Sequence, residues 1–129
     1  MKILVTGDRN WNDEGSIRKV LGLYPSVTHV VHGAARGADT IAGRVAIEMG
    51  LIVVSCPADW IRYGKAAGTI RNSKMLEDHP DINLVLAFHN DLRSSRGTKD
   101  MVKKSAARGI PVILFWIDRN ANLRFNRLN

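Results

Sequence analysis

Eight residues that could bind an anion, HGAARGAD at positions 32–39, follow an apolar run at 27–31. Their last two residues begin a helix-like pattern at 38–46. A strand, a glycine-rich turn and a helix start direct backbone N–H groups and the positive end of the helix at one place, which suits a phosphate group. The spacing is neither Gly-x-Gly-x-x-Gly nor that of a P-loop. The stretch predicts either a phosphate-binding turn at 33–39, with Arg36 contacting the anion, or a tight connection without a ligand.

Apolar runs and helical periodicity alternate along the chain, which predicts an α/β fold with a mainly parallel, five-stranded sheet covered on both faces. The predicted strands are 2–6, 27–31, 51–55, 82–88 and 112–117. Helices are expected at about 13–23, 38–49, 66–78 and 98–108, with Asp13 and Thr98 as N-caps. Residues 118–125 predict a turn and a short returning edge strand. No linker or repeat interrupts the pattern, so residues 1–129 are expected to form one domain.

Ligands of such sheets collect outside the carboxyl ends of the strands. The unusual glycines, aromatics and charged residues of this chain follow the predicted strands, so we expect a shared binding site at this carboxyl edge. Its candidate ligand-binding residues are Gly7, Asp8, Arg9, Trp11, Gly33, Ala34, Arg36, Gly37, Asp39, Asp59, Trp60, Asn72, Gly97 and Thr98.

Several of these candidates have an ordinary structural interpretation as well. Trp11 and Trp60 lie in polar loops, where a large aromatic side chain either covers the core or stacks on a flat ligand. Asp59 either bonds a ribose hydroxyl or closes an Asx-type turn. Asp39 fits an N-cap or first-turn acid of a helix better than a ligand contact.

The formal net charge of +7 and the pI near 10.1 suit a phosphate-bearing partner. Aromatic residues are few and do not alternate with the basic ones, so an anionic small ligand is favoured over direct nucleic-acid binding. The histidines and the single cysteine, Cys56, share no metal-ligand spacing, and we expect neither a metal nor a cofactor. No signal-like or membrane-spanning segment is present, so a cytoplasmic protein is expected.

Five motifs carry a resemblance to a known family: VTGDRNW at 5–11, VHGAARGAD at 31–39, PADW at 57–60, AGTIRN at 67–72 and GTKDM at 97–101. Together they resemble the YspA-like, YpsA-related branch of the SLOG superfamily. The resemblance implies a Rossmann-like fold that binds a nucleotide or a nucleotide derivative, as a sensor or as a sequestering or processing protein. Many relatives are oligomeric, so a dimer or higher oligomer is expected.

An enzymatic alternative follows from the Lonely Guy phosphoribohydrolases of the same superfamily, which cleave the N-glycosidic bond of a nucleoside monophosphate. That branch uses a helical arginine and a glutamate after a Gly-Gly-x-Gly-Thr loop, and the similar positions here are Arg71 and Asp100. This chain departs from the pattern, because Asp is one methylene shorter and no paired glycines precede Gly97. Asp100 is equally well explained as an acid near a helix N-terminus, worth about 0.3–1 kcal/mol. DNA-processing relatives and the basic charge suggest a DNA-associated module as a further alternative.

Overall fold

The computed structural model describes residues 1–129, which form one six-stranded sheet with helices on both faces. In chain order the elements are β1 (Lys2–Gly7), α1 (Glu14–Leu21), β2 (His29–His32), α2 (Ala38–Glu48), β3 (Ile52–Ser55), α3 (Trp60–Tyr63), α4 (Ala67–Asp78), β4 (Leu84–Phe88), α5 (Gly97–Ala107), β5 (Val112–Ile117) and β6 (Leu123–Arg127). Short 3₁₀ turns lie at Gly64–Ala66 and Leu92–Ser94.

The strand order across the sheet is β3-β2-β1-β4-β5-β6. The first five of these are parallel, and β6 pairs antiparallel with β5. The predicted α/β, Rossmann-like fold with an antiparallel edge strand is therefore confirmed. Successive strands are added outward on one side of β1 and then, from β4 onward, on the other side. The crevice between the carboxyl ends of β1 and β4 is the topological switch point, where open α/β sheets bind ligands.

Alternating residues of the central strands enter two separate cores, which explains why their sequences are apolar without interruption. Ile3 and Val5 of β1 pack in the core with α1 and α2, whereas Leu4 packs in the core with α4 and α5. All five residues of β4 are buried. Burial on both faces holds β1 and β4 rigidly, and their carboxyl ends are therefore fixed supports for a site.

Of the two predicted helix N-caps, the structure confirms one and contradicts the other. The Asp13 carboxylate caps α1 as predicted, accepting a hydrogen bond from Ser16 N at 3.0 Å. Thr98 does not cap α5, because it lies inside the helix, is buried, and donates its N–H to the Ser95 hydroxyl at 3.0 Å. The Ser95 hydroxyl is thus the group that accepts a hydrogen bond from the first turn of α5.

None of the helices has the length and hydropathy needed to cross a bilayer.

Candidate functional site

A cleft of about 690 Å³ opens over the carboxyl ends of β1 and β4, with walls from α4, the start of α5 and the turn after β2. Most of its lining is polar or glycine. It brings together nine of the residues that the sequence predicted for this edge: Gly7, Asp8, Arg9, Gly33, Asp39, Trp60, Asn72, Gly97 and Thr98. Arg71, named in the enzymatic alternative, lines the cleft as well.

Glycines allow the loops of the cleft to approach one another closely. A Cβ atom at Gly7 would lie 2.7 Å from the Cβ of Ala38, so a side chain there would separate β1 from α2. A Cβ atom at Gly37 would lie 2.6 Å from the carbonyl oxygen of Arg9, and Gly37 also has a φ of 74°. This conformation favours glycine. The Gly37 turn is thereby packed directly on the loop that follows β1.

The turn after β2 is folded around a carboxylate of its own. Asp39 accepts hydrogen bonds through Oδ2 from the N–H of Gly33 at 2.9 Å and, more weakly, from that of Ala35 at 3.4 Å. The N–H of Ala34 donates to Nδ1 of His32 at 2.9 Å. These three N–H groups are already satisfied, and a phosphate here would face the Asp39 carboxylate. Gly33, Ala34 and Ala35 therefore offer no free N–H group to an anion, whereas the N–H groups of Arg36 and Gly37 donate to no acceptor within the protein. The phosphate-binding turn at 33–39 stays a prediction.

Asp39 is only 4% exposed, and its second oxygen, Oδ1, is buried without a hydrogen-bond partner. Burial raises the pKa of this carboxyl to about 6, against the opposing effects of the Ala35 N–H, the Arg71 charge and the Gly33 N–H. Burial and the Arg71 charge also lower the pKa of His32. A neutral His32 ring agrees with Nδ1 acting as an acceptor. Asp39 is a first-turn acid, as one interpretation of the sequence had it, and also part of the cleft wall.

Arg71 reaches across the cleft from α4. Its Nη1 donates to the carbonyl oxygen of Gly33, and its Nε donates to Oδ1 of Asn72 at 3.0 Å. A Cβ atom at Gly33 would lie 2.6 Å from Nη1, so this approach requires glycine. The guanidinium therefore ties α4 to the turn after β2 and supplies a positive charge to the cleft wall.

Asp100 lies outside this cleft, in a second depression beyond the first turn of α5. Its Oδ2 accepts a hydrogen bond from Asn72 Nδ2 at 3.0 Å and forms an ion pair with Lys104 at 2.9 Å. Arg71 contacts the other end of the Asn72 amide, so Asn72 bridges the two predicted catalytic residues. Arg71 and Asp100 thus line different depressions, and the Asp100 carboxylate pairs with Lys104.

The two loop tryptophans lie in different environments. Trp11 is buried in the core, packs edge-on against Phe88 with ring centroids 5.5 Å apart, and donates its indole N–H to the Asp13 carbonyl at 3.0 Å. The core interpretation of Trp11 is therefore the correct one. Trp60 is 59% exposed and lines the cleft. An exposed aromatic face at a cleft is available for a flat ligand.

Four other candidates do not line the cleft. Arg36 and Ala34 are exposed and are not part of the cleft lining. Gly37 acts through its packing on the loop after β1, as described above. Asp59 is exposed and caps α3, accepting a hydrogen bond from Arg62 N at 3.0 Å, which agrees with the turn interpretation of this residue.

Comparison with known proteins supports the resemblance seen in the motifs. The family model described as the YspA, cpYpsA-related SLOG family matches residues 1–63. The Gene 61 protein of Mycobacterium phage D29 is 39% identical over 123 residues, covering 88% of this chain and 95% of the phage protein. The chain belongs to this SLOG family. The match at 1–63 includes β1, the turn after β2 and Trp60.

A solved structure has the same fold as this SLOG chain. The X-ray structure of DNA processing protein A (DprA) from Streptococcus pneumoniae superposes with a TM-score of 0.67 at 19% identity, covering 86% of this chain. The chain spans about half of DprA, 48% of its length.

The structure of this SLOG chain adds cleft residues that were not among the predicted ones. His89 follows β4, and its Nε2 lies 4.0 Å from Oδ2 of Asp8, so the loops after β1 and β4 meet here. Lys65 and Arg96 bring positive charges from the turn before α4 and from the start of α5. The polar loop after β4 was a sequence feature that could have indicated His89 as a cleft residue. No sequence pattern indicates Lys65, because it lies in a 3₁₀ turn of only three residues.

Proposed function

We propose that this protein binds a nucleotide or a nucleotide-derived small molecule in the switch-point cleft. The observation that carries the proposal is the cleft itself: about 690 Å³ of mostly polar lining at the point where open α/β sheets bind ligands, with an exposed tryptophan at its edge. Membership of the SLOG family supports the same class of ligand.

In this proposal the phosphate of the ligand binds at the start of α5. The backbone N–H groups of Arg96 and Gly97 donate to no acceptor within the protein, and α5 directs its positive end at this wall of the cleft. Arg9, Lys65 and Arg96 add side-chain cations without carboxylate partners. At the turn after β2 the Asp39 carboxylate accepts the N–H of Gly33, and its negative charge opposes a bound phosphate.

The base is placed against Trp60. The indole is exposed at the cleft and lies beside α4, where the six-membered ring comes within 3.5 Å of the position that a Cβ atom on Gly68 would take. Stacking of one base on an aromatic side chain contributes about 1–3 kcal/mol. Because stacking accepts any base, this contact favours a nucleotide without specifying which one.

Isothermal titration with AMP, GMP, CMP, UMP and ADP-ribose tests the proposal. At least one of these compounds is expected to bind, and the matching nucleoside without phosphate is expected to bind at least about tenfold more weakly. Trp60→Ala and Arg9→Ala should each weaken binding. Arg36→Ala, which changes an exposed arginine outside the cleft, is the matched control and should leave the affinity unchanged. No binding of any compound, or equal losses in all three variants, would contradict the proposal.

A further inference from the structure

A second depression, of about 400 Å³, continues from the cleft across the first turn of α5. It contains no hydrophobic side chain, and four of its lining residues are basic: Arg93, Arg96, Lys99 and Lys103. We call this surface the basic groove. Thr69, Ser94, Ser95 and Arg96 line both the groove and the cleft. One extended ligand can therefore occupy both.

The cations of the basic groove lack carboxylate partners. None of the four forms an ion pair within the protein, whereas Arg18, Arg44 and Arg124 each pair with an acidic residue elsewhere on the surface. The one carboxylate of the groove, Asp100, is already held by Lys104 at 2.9 Å. Four neighbouring like charges repel one another in the free protein, and a bound anion relieves that repulsion.

We propose that the basic groove binds a second phosphate of the ligand that occupies the cleft. The ligand is then a nucleotide whose phosphate continues into a phosphodiester or a phosphoanhydride link to another group. This inference rests on the proposed function. A nucleoside monophosphate has a single phosphate, which the start of α5 accommodates, and such a compound leaves the groove cations without a partner.

Two variants with the same net charge test the groove. Lys99→Gln/Lys103→Gln removes two cations from the groove. Lys19→Gln/Arg119→Gln removes two exposed cations that line neither the groove nor the cleft. Each is titrated with AMP, with the 5′-phosphorylated dinucleotide pApA and with ADP-ribose. Other bases replace adenine if another monophosphate of the panel binds better.

In the native chain, pApA or ADP-ribose is expected to bind at least about tenfold tighter than AMP. The groove variant should reduce that ratio to within about twofold while its affinity for AMP stays unchanged. The control variant should keep the native ratio. Equal affinities of all three probes for the native chain, or a ratio that survives in the groove variant, would overturn the inference. AMP binding in either of those cases leaves the proposed function standing, so the two failures are distinguishable.

The probes also identify the source of the second phosphate. Preference for ADP-ribose over pApA supports a phosphoanhydride-linked small molecule, and preference for pApA supports a phosphodiester. A ten-nucleotide single strand that binds more tightly than pApA, with a steep loss of affinity as salt is raised, supports the end of a nucleic-acid strand as that phosphodiester. Equal binding of the strand and pApA supports a free dinucleotide.

Discussion

Asp39 and Arg71 bind the two polar backbone groups of the same residue. The Asp39 carboxylate accepts the N–H of Gly33 at 2.9 Å, and the Arg71 guanidinium donates to the Gly33 carbonyl oxygen. One residue at the end of β2 is thus held by α2 on one side and by α4 on the other. Because both partners are charged and largely removed from water, this arrangement controls stability as well as the shape of the cleft wall.

Asp39→Asn should remove a pH dependence of the free energy of unfolding. The folded-state pKa of Asp39 is raised from 3.8 to about 6. The contribution of this carboxyl to the free energy of unfolding is therefore fully present below pH 4 and is lost as the pH rises through 6. The loss amounts to about 3 kcal/mol. Urea unfolding at pH 4 and pH 7 measures it, as the difference between native and variant proteins. Native and variant curves that stay parallel across this range would contradict the assignment.

Arg71→Lys should destabilise the protein by about 1.5–3 kcal/mol. A lysine has no planar fork, so it cannot bond the Gly33 carbonyl and the Asn72 amide together. Lys74→Arg, on the exposed side of the same helix, is the control, since it retains the ion pair with Asp78 and should change stability by less than about 0.5 kcal/mol. Urea unfolding at pH 7 compares them. Equal effects would mean that the Arg71 contacts add no stability.

Gly37→Ala should be more destabilising than Gly50→Ala, although both glycines have nearly the same φ, 74° and 77°. The alanine at position 50 meets nothing within 4 Å and suffers only the backbone strain of about 1–2 kcal/mol. At position 37 the new Cβ atom also collides with the carbonyl of Arg9. Overpacking of this kind adds about 1–3 kcal/mol. Thermal unfolding of both variants gives the difference, and equal losses would contradict the close packing of the two loops.

Alanine substitutions of the two loop tryptophans should affect different properties, stability for Trp11 and ligand binding for Trp60. Trp11→Ala empties a core position against Phe88 and should cost about 3–5 kcal/mol of stability. Trp60→Ala changes an exposed side chain and should change stability by less than about 0.5 kcal/mol while weakening nucleotide binding. Unfolding and titration of the two variants separate these effects. A large loss of stability in Trp60→Ala would place that side chain in the core instead.

The helices and strands were largely predictable because apolar runs and helical periodicity are local features of the sequence. Uninterrupted apolar runs mark β1, β4 and β5, since strands buried on both faces need no polar alternation. Helical periodicity marked the longer helices. The four-residue helix α3 was not predicted, because a segment of one turn is too short to show a period. The order of strands across the sheet also lay beyond the sequence, since it depends on pairing between distant segments.

By itself, the sequence determined the fold class, the glycine-rich loops and the edge of the sheet where they gather. Only the tertiary structure decided what each side chain does there. Asp39 accepts the N–H groups of Gly33 and Ala35 in the turn after β2, Trp11 is buried in the core, and Asp100 pairs with Lys104. The physical reason is that hydrogen bonds and burial are settled between residues far apart in the chain, as when Arg71 on α4 reaches Gly33 after β2.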